Sequence, residues 1–264
     1  PAGPLEVRAD LVIGADGRGS VVRERAGLVV QDIGAPMDVL WFRLPRGKDD
    51  PVELMGRFDA GRIFIMLNRG DYWQCGYVIA KGSLPHLQRQ GLATFRDSVT
   101  RLAPFARDQV HVLDDWDAIK LLTVKVDRLR RWYRPGLLCI GDAAHAMSPV
   151  GGVGINLAIQ DAVAAANLLS VPLRAGPVTT GDLRRVQRRR WFPTHVTQRL
   201  QVLVQNRVVT RVLEQSERRL TPPMMLRLMA RFPLLRRLPA RVIGLGVRPE
   251  HIQSPDARNL NTAA

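Results

Sequence analysis

The chain has 264 residues, 46% of them hydrophobic and 24% charged, which is the balance of a globular protein and excludes a disordered or fibrous one. This length can bury a sizeable core in one large domain or two small ones. Of the formal net charge of +15, thirteen charges fall in residues 173–264, which hold 18 Arg and 5 acidic residues; residues 1–172 are near neutral.

Residues 5–14 are strand-like, and Val21 to Ala26 begins a short helix closed by Gly27. From Asp38 the pattern turns to β. Val39–Leu44, Glu53–Phe58, Arg62–Leu67 and Tyr72–Ile79 read as successive strands of an antiparallel sheet, with Asp59-Ala60-Gly61 and Asn68-Arg69-Gly70-Asp71 as turns. Leu84 to Leu102 reads as one helix ended by Pro104, and Asp117 to Val126 as a further strand. Gly136–Ile140 is a short apolar run that predicts a buried strand. A long helix begins near Gly154 and ends at Pro172. Beyond it, Gly181 to Glu217 predicts one arginine-rich helix, broken at Pro193, followed by helical pieces near 223–231 and 234–244.

The most informative stretch is Gly141 to Leu169, GDAAHAMSPVGGVGINLAIQDAVAAANLL. Asp142 stands at the end of a strand and can accept hydrogen bonds from sugar-like hydroxyls. Pro149 stiffens the turn, and Gly151, Gly152 and Gly154 let a ligand approach the backbone. The helix that follows leaves its first amides unpaired and carries a partial positive charge, suited to a group that becomes anionic. Ile155, Ile159 and Val163 share one side of it and predict the face that packs on a sheet.

This stretch resembles the second flavin-binding motif of the FAD-dependent aromatic hydroxylase family, the para-hydroxybenzoate hydroxylase type. Ala9 to Arg23, ADLVIGADGRGSVVR, is similar to that family's Asp-Gly motif and lies in the expected order. The intervening segment has room for the family's substrate domain. The resemblance implies an α/β fold, α+β overall. Residues 1–35 and 128–172 would form a three-layer flavin-binding domain, and 36–127 an inserted antiparallel substrate domain. Residues 173–264 would form a basic helical C-terminal region.

The family's N-terminal GxGxxG turn, which holds the FAD pyrophosphate, has no counterpart here. Gly14 to Gly19 has the wrong spacing, Gly152 to Leu157 lacks the third glycine, and Gly244 to Pro249 puts proline where a helix should run. With Pro1 at its start, the chain is expected to be a C-terminal portion of a longer flavoprotein, with an incomplete FAD domain.

The resemblance implies an FAD-dependent monooxygenase. NADH or NADPH would reduce the flavin, oxygen would give a C4a-hydroperoxide, and a small aromatic or other apolar organic substrate would be hydroxylated. It implies that Asp142 and Gly141 meet the ribityl chain, and that Pro149, Gly151, Gly152, Val153, Gly154, Ile155 and Asn156 line the isoalloxazine. Asp16 and Gly17 would lie near the diphosphate, with Arg23 supporting that turn. Pro149 and His145 are the candidate catalytic residues, with a structural role, hydrogen-bonding the turn, the favoured reading for His145. Asp161 is expected to bond neighbouring backbone or to pair with an arginine.

In the family one sheet face roofs a cavity over the flavin. Trp41, Arg43, Gln74 and Tyr77 are therefore candidate substrate residues; otherwise the aromatics are core and Arg43 is solvated. A flavin-dependent reductase, dehydrogenase or halogenase on the same scaffold is the alternative, though no tryptophan-rich halogenase motif is present.

The basic tail has few aromatics and no nucleic-acid motif, so no nucleic-acid partner is expected. It reads as a helical layer with solvated arginines. The other reading is an anionic membrane surface met through Met224, Met225, Leu226, Leu228 and Met229 beside Arg227 and Arg231. No continuous apolar run reaches the ~20 residues of a membrane span. Cys75 and Cys139 sit in apolar runs and read as buried thiols, consistent with a cytoplasmic location. No Cys/His cluster has metal-ligand spacing.

Overall fold

The computed structural model describes residues 3–53, 55–59, 61–214, 231–232, 235 and 237–254. The chain order is β1 (Val12–Gly14), α1 (Val21–Arg25), β2 (Val30–Asp32), β3 (Met37–Pro45), β4 (Met55–Asp59), β5 (Arg62–Asn68) and β6 (Tyr72–Ala80), then α2 (Leu84–Gln90), α3 (Leu92–Leu102) and β7 (Lys120–Leu122). After these come β8 (Asp127–Leu129), β9 (Tyr133–Arg134), β10 (Leu137–Cys139), α4 (Gly154–Ala175), α5 (Thr180–Val204), a π-helical turn Gln205–Val209, α6 (Thr210–Glu214) and α7 (Arg237–Leu245).

Of the described residues, those within 1–34, 125–201 and 228–264 form one compact unit, and those within 35–124 and 202–227 a second. The basic C-terminal region is therefore not a separate body; its residues are shared between the two units.

The first unit is built on a small sheet in the order β1-β10-β9, with β1 and β10 parallel and β10 and β9 antiparallel. Gly14 is required there by packing: a Cβ would lie 2.9 Å from Val22 Cγ1 and 3.1 Å from Cys139 Sγ. α1 starts at Ser20, whose hydroxyl accepts from the Arg23 amide. β2 and β8 pair antiparallel as a separate two-stranded sheet. Leu138, Cys139, Ala143, Ala165, Leu169, Leu183 and Trp132 share one hydrophobic core, which packs β10 with α4 and α5.

The second unit is a five-stranded antiparallel sheet in the order β4-β5-β6-β3-β7. Alternation sends Leu40, Phe42 and Leu44 into a core with Phe64, Tyr77, Phe95 and Val99. Asp38 is the polar anchor of this unit. Its carboxylate accepts from Lys81 Nζ at 2.8 Å and from the amides of Gly82 and Val124 at 3.0 Å each. Burial alone would raise this carboxyl; Lys81 and the two amides outweigh burial and hold it below its ordinary value.

Several elements differ from their sequence expectation. Only Val12–Gly14 of residues 5–14 is strand, and only Lys120–Leu122 of 117–126. The helix expected over Leu84–Leu102 is two, divided at Gly91, whose φ of 89° is left-handed. Pro172 does not end α4, which continues to Ala175 and stops at Gly176, and Pro193 does not break α5. The piece near 234–244 is α7, whereas the membrane-facing residues from Met224 to Met229 lie outside the described residues. Among the described residues, Val150–Ala175 is long and apolar enough to cross a membrane by length and composition alone. Its alanines raise the mean hydropathy without any continuous apolar run. Asp161 within it is fully buried against Arg190.

Asp38→Ala should destabilise the second unit by about 2–4 kcal/mol, because it strands two amides and a lysine. Urea unfolding at neutral pH measures this; a loss below about 1 kcal/mol would refute the anchoring role.

Candidate cofactor site

Parallel strands β1 and β10 deliver their carboxyl ends to the same side, the general place for ligands in open α/β sheets. A cleft of about 660 Å3 opens there. Gly17 and Arg18 from the turn after β1, and Gly141 and Asp142 from the turn after β10, form one wall. Pro149, Gly152 and Gly154 form the second, at the start of α4, and Ile155, Ala158, Ile159 and Ala162 form the third along α4. Among the described residues no side chain caps the α4 N-terminus, so its first amides remain available to an anion.

The turn after β10 is held by one carboxylate. Asp161 Oδ2 accepts from the Gly141 amide at 3.0 Å and from His145 Nε2 at 2.5 Å, and Oδ1 accepts from Arg190 Nε at 2.9 Å. All three side chains are 1% exposed or less. Burial would push the Asp161 carboxyl up; His145 and Arg190 outweigh it and hold it below its ordinary value. Gly141 has φ 58°, and a Cβ there would lie 3.0 Å from Ala158 Cβ. The turn can thus sit directly on α4, with Asp142 on the cleft side.

The turn after β1 is held by a second pair. Arg23 donates to Asp127 at 3.1 and 3.3 Å, and to the Arg18 carbonyl at 2.7 Å. The Ser20 hydroxyl and the Val22 amide hold the Asp16 carboxyl below its ordinary value, so Asp16 caps α1. Arg18 reaches Asp142 at 3.5 Å, while its Nη1 is buried with no hydrogen-bond partner among the described residues.

The structure brings Gly17, Gly141, Asp142, Pro149, Gly152, Gly154 and Ile155 to the cleft. Asp16 and Arg23 support its turns, and Val153 packs under it with Met147 and Leu157. Asn156 points its amide away, to the carbonyls of Ile243 and Gly244. His145 is core rather than cleft: it lies against Trp132 with ring centroids 4.8 Å apart, and its imidazole anchors the turn.

The predicted packing face of α4 is reversed. Ile155 and Ile159 are 67% and 58% exposed, and the buried face carries Leu157, Asp161, Ala164, Ala165 and Leu169. The isoleucine stripe is cleft wall. Arg18 was not foreseen, and neither was Arg190, which is fully buried rather than solvated. The helical spacing of Asp161 on an otherwise apolar face was the available signal for Arg190.

In the second unit, Arg43 and Gln74 are paired across β3 and β6, and Trp41 lies over Gly76 on the same face. Tyr77 belongs to the opposite face, where its hydroxyl meets Ser98 at 2.9 Å in the core. Arg43 stacks over the Tyr72 ring at 4.8 Å. Both thiols are buried and raised by that burial, Cys139 to about 11. Among the described residues no group of His, Cys, Asp or Glu is arranged to hold a metal ion.

Residues 2–215 match the family model described as FAD binding domain. The chain belongs to that family. It is 37% identical over 201 residues to 6-methylpretetramide 4-monooxygenase of Streptomyces rimosus, covering 75% of this chain and 48% of that protein. It is 31% identical over 183 residues to kynurenine 3-monooxygenase of Stenotrophomonas maltophilia, covering 63% of this chain and 39% of that protein. The chain thus spans less than half the length of these two relatives. Its fold is similar to that of PqsL from Pseudomonas aeruginosa, at TM-score 0.63 and 20% identity, over 78% of this chain and 57% of that one.

The FAD binding domain fits the residues present: uncapped amides, an unpartnered Arg18 nitrogen, an open glycine turn and an apolar wall for a planar ring. Asp161→Ala should cost about 3–5 kcal/mol, since it leaves Arg190 buried without its carboxylate. Because the Asp161 carboxyl is held low, its stabilisation is present above about pH 4 and is lost as pH falls through the folded value. Urea midpoints between pH 7 and pH 3 should fall less steeply in Asp161→Asn than in the native chain.

Proposed function

We propose that this chain carries the flavin-ring side of an FAD-dependent monooxygenase. Its substrate is a small aromatic or other apolar organic molecule, and NADH or NADPH is the electron source. The observation that carries this reading is the cleft itself. It joins Asp142, the uncapped start of α4 and an exposed apolar ribbon in one concavity at the carboxyl ends of two parallel strands. The two monooxygenase relatives support the same reaction class.

Bound flavin supplies electron transfer and the activation of dioxygen. The protein's part is to bind, orient and shield. Asp142 accepts hydrogen bonds from the hydroxyls of the ribityl chain. The amides at the start of α4 favour negative charge on the ring, an effect of about 0.3–2 kcal/mol. Pro149 fixes the entry of that turn, and Ile155, Ile159 and Ala162 keep water from the ring face. Arg18, beside Asp142, adds positive charge where a diphosphate would need it. In the second unit, Trp41, Arg43 and Gln74 are the substrate candidates.

The test is flavin binding by the protein expressed from its full reading frame, followed by its visible spectrum. Asp142→Ala should weaken FAD affinity about tenfold or more, with the circular dichroism unchanged. NAD(P)H oxidation should then be stimulated by aromatic compounds and coupled to hydroxylated product. Unchanged FAD affinity in Asp142→Ala would remove the central assignment. Oxidation without oxygenated product would turn the reading to a flavin-dependent reductase.

A further inference from the structure

The first unit has a second concavity, of about 520 Å3, with no carboxylate in its walls among the described residues. Arg130, Arg131 and Tyr133 come from the segment leading into and through β9. Arg184, Arg188 and Trp191 come from α5, spaced at four and three residues and so on one helical face. Arg189 and Arg190 on the same helix are paired with Glu250 and Asp161. Among the described residues, none of the four arginines in this groove has such a partner.

The groove is also held in shape. Gln187 Oε1 accepts from the Trp132 amide, and its Nε2 donates to the Arg130 carbonyl, both at 3.1 Å. That clamp fixes the arginine-bearing segment to α5 and leaves the guanidiniums to the groove. Two aromatic faces border it. Arg131 lies over the Tyr133 ring at 5.8 Å, and Trp191, 45% exposed, stacks on His195 at 3.7 Å. Further along α5, burial and then Arg128 and Arg199 hold His195 below its ordinary value, so the uncompensated positive field continues there. A basic concavity in the second unit lacks this character: Asp97 is in its wall, and Arg96 already donates to the Leu113 carbonyl at 2.8 Å.

We propose that this groove binds a small phosphorylated ligand bearing an aromatic ring, with a nucleoside diphosphate as the simplest member of that class. Guanidiniums give phosphate oxygens charge-assisted, forked hydrogen bonds. Trp191 and Tyr133 offer π faces to the base. The Gln187 clamp reduces the ordering that binding would otherwise require. The groove shares no residue with the cleft at α4, so this assignment stands apart from the flavin reading.

The test follows the anisotropy of a fluorescent ADP derivative with the whole chain at low salt. The expected result is saturable binding that weakens as salt rises. The double substitution Arg184→Ser/Arg188→Ser, at exposed positions and checked for folding by circular dichroism, should weaken binding about tenfold or more. Trp191→Leu should weaken ADP but not inorganic pyrophosphate, measured as a competitor. No saturable binding by the native chain, or binding that survives the double substitution, overturns the site. Pyrophosphate competing as tightly as ADP overturns the aromatic half of the assignment.

Discussion

Everything near the cleft depends on one buried charge, the Asp161 carboxylate. A carboxylate without water is costly unless each oxygen is met, and here both are, by an amide, an imidazole and a guanidinium. The arrangement does more than neutralise the charge. It fixes the turn after β10 onto α4, which in turn aims Asp142 and the start of α4 into the same space. His145 and Arg190 therefore act through position, at a distance from any ligand. His145 Nε2 faces the Asp161 carboxylate and donates to it, while Nδ1 has no hydrogen-bond partner among the described residues.

The parts of the fold legible in the sequence were those governed by local rules. Strands β3 to β6 follow from alternation and from turn residues between them, and the end of α1 from Gly27. The strand, acidic residue and glycine turn that make the cofactor wall are contiguous in sequence, so their spacing could be read directly. Asp161, foreseen as a partner for backbone or arginine, takes both.

What was not legible was decided by tertiary packing. The stripe Ile155, Ile159 and Val163 is as regular as a core face, and periodicity cannot distinguish a wall facing a ligand from one facing a sheet. The buried side instead depends on alanines small enough for close approach and on one aspartate whose partner lies 29 residues away. Pro193 carries a local cost that burial at Pro193 and Thr194 outweighs, whereas Pro172 stands in the last turn of α4. Tyr77 is a pocket candidate together with Gln74, but three residues apart on one strand they face opposite ways, and Tyr77 lies among Phe64 and Phe95.

Arg190 closes the network from three directions, binding Asp161, the Gln160 side chain, and the Arg248 carbonyl with Glu250. The last of these partners lies 60 residues further along the chain. During synthesis, α4 and the first turns of α5 leave the ribosome well before that segment exists. At that stage the Arg190 guanidinium, behind the cleft, is incompletely coordinated. Full coordination of Arg190 therefore waits for residues 248–250 to return to it, which closes a loop of 60 residues.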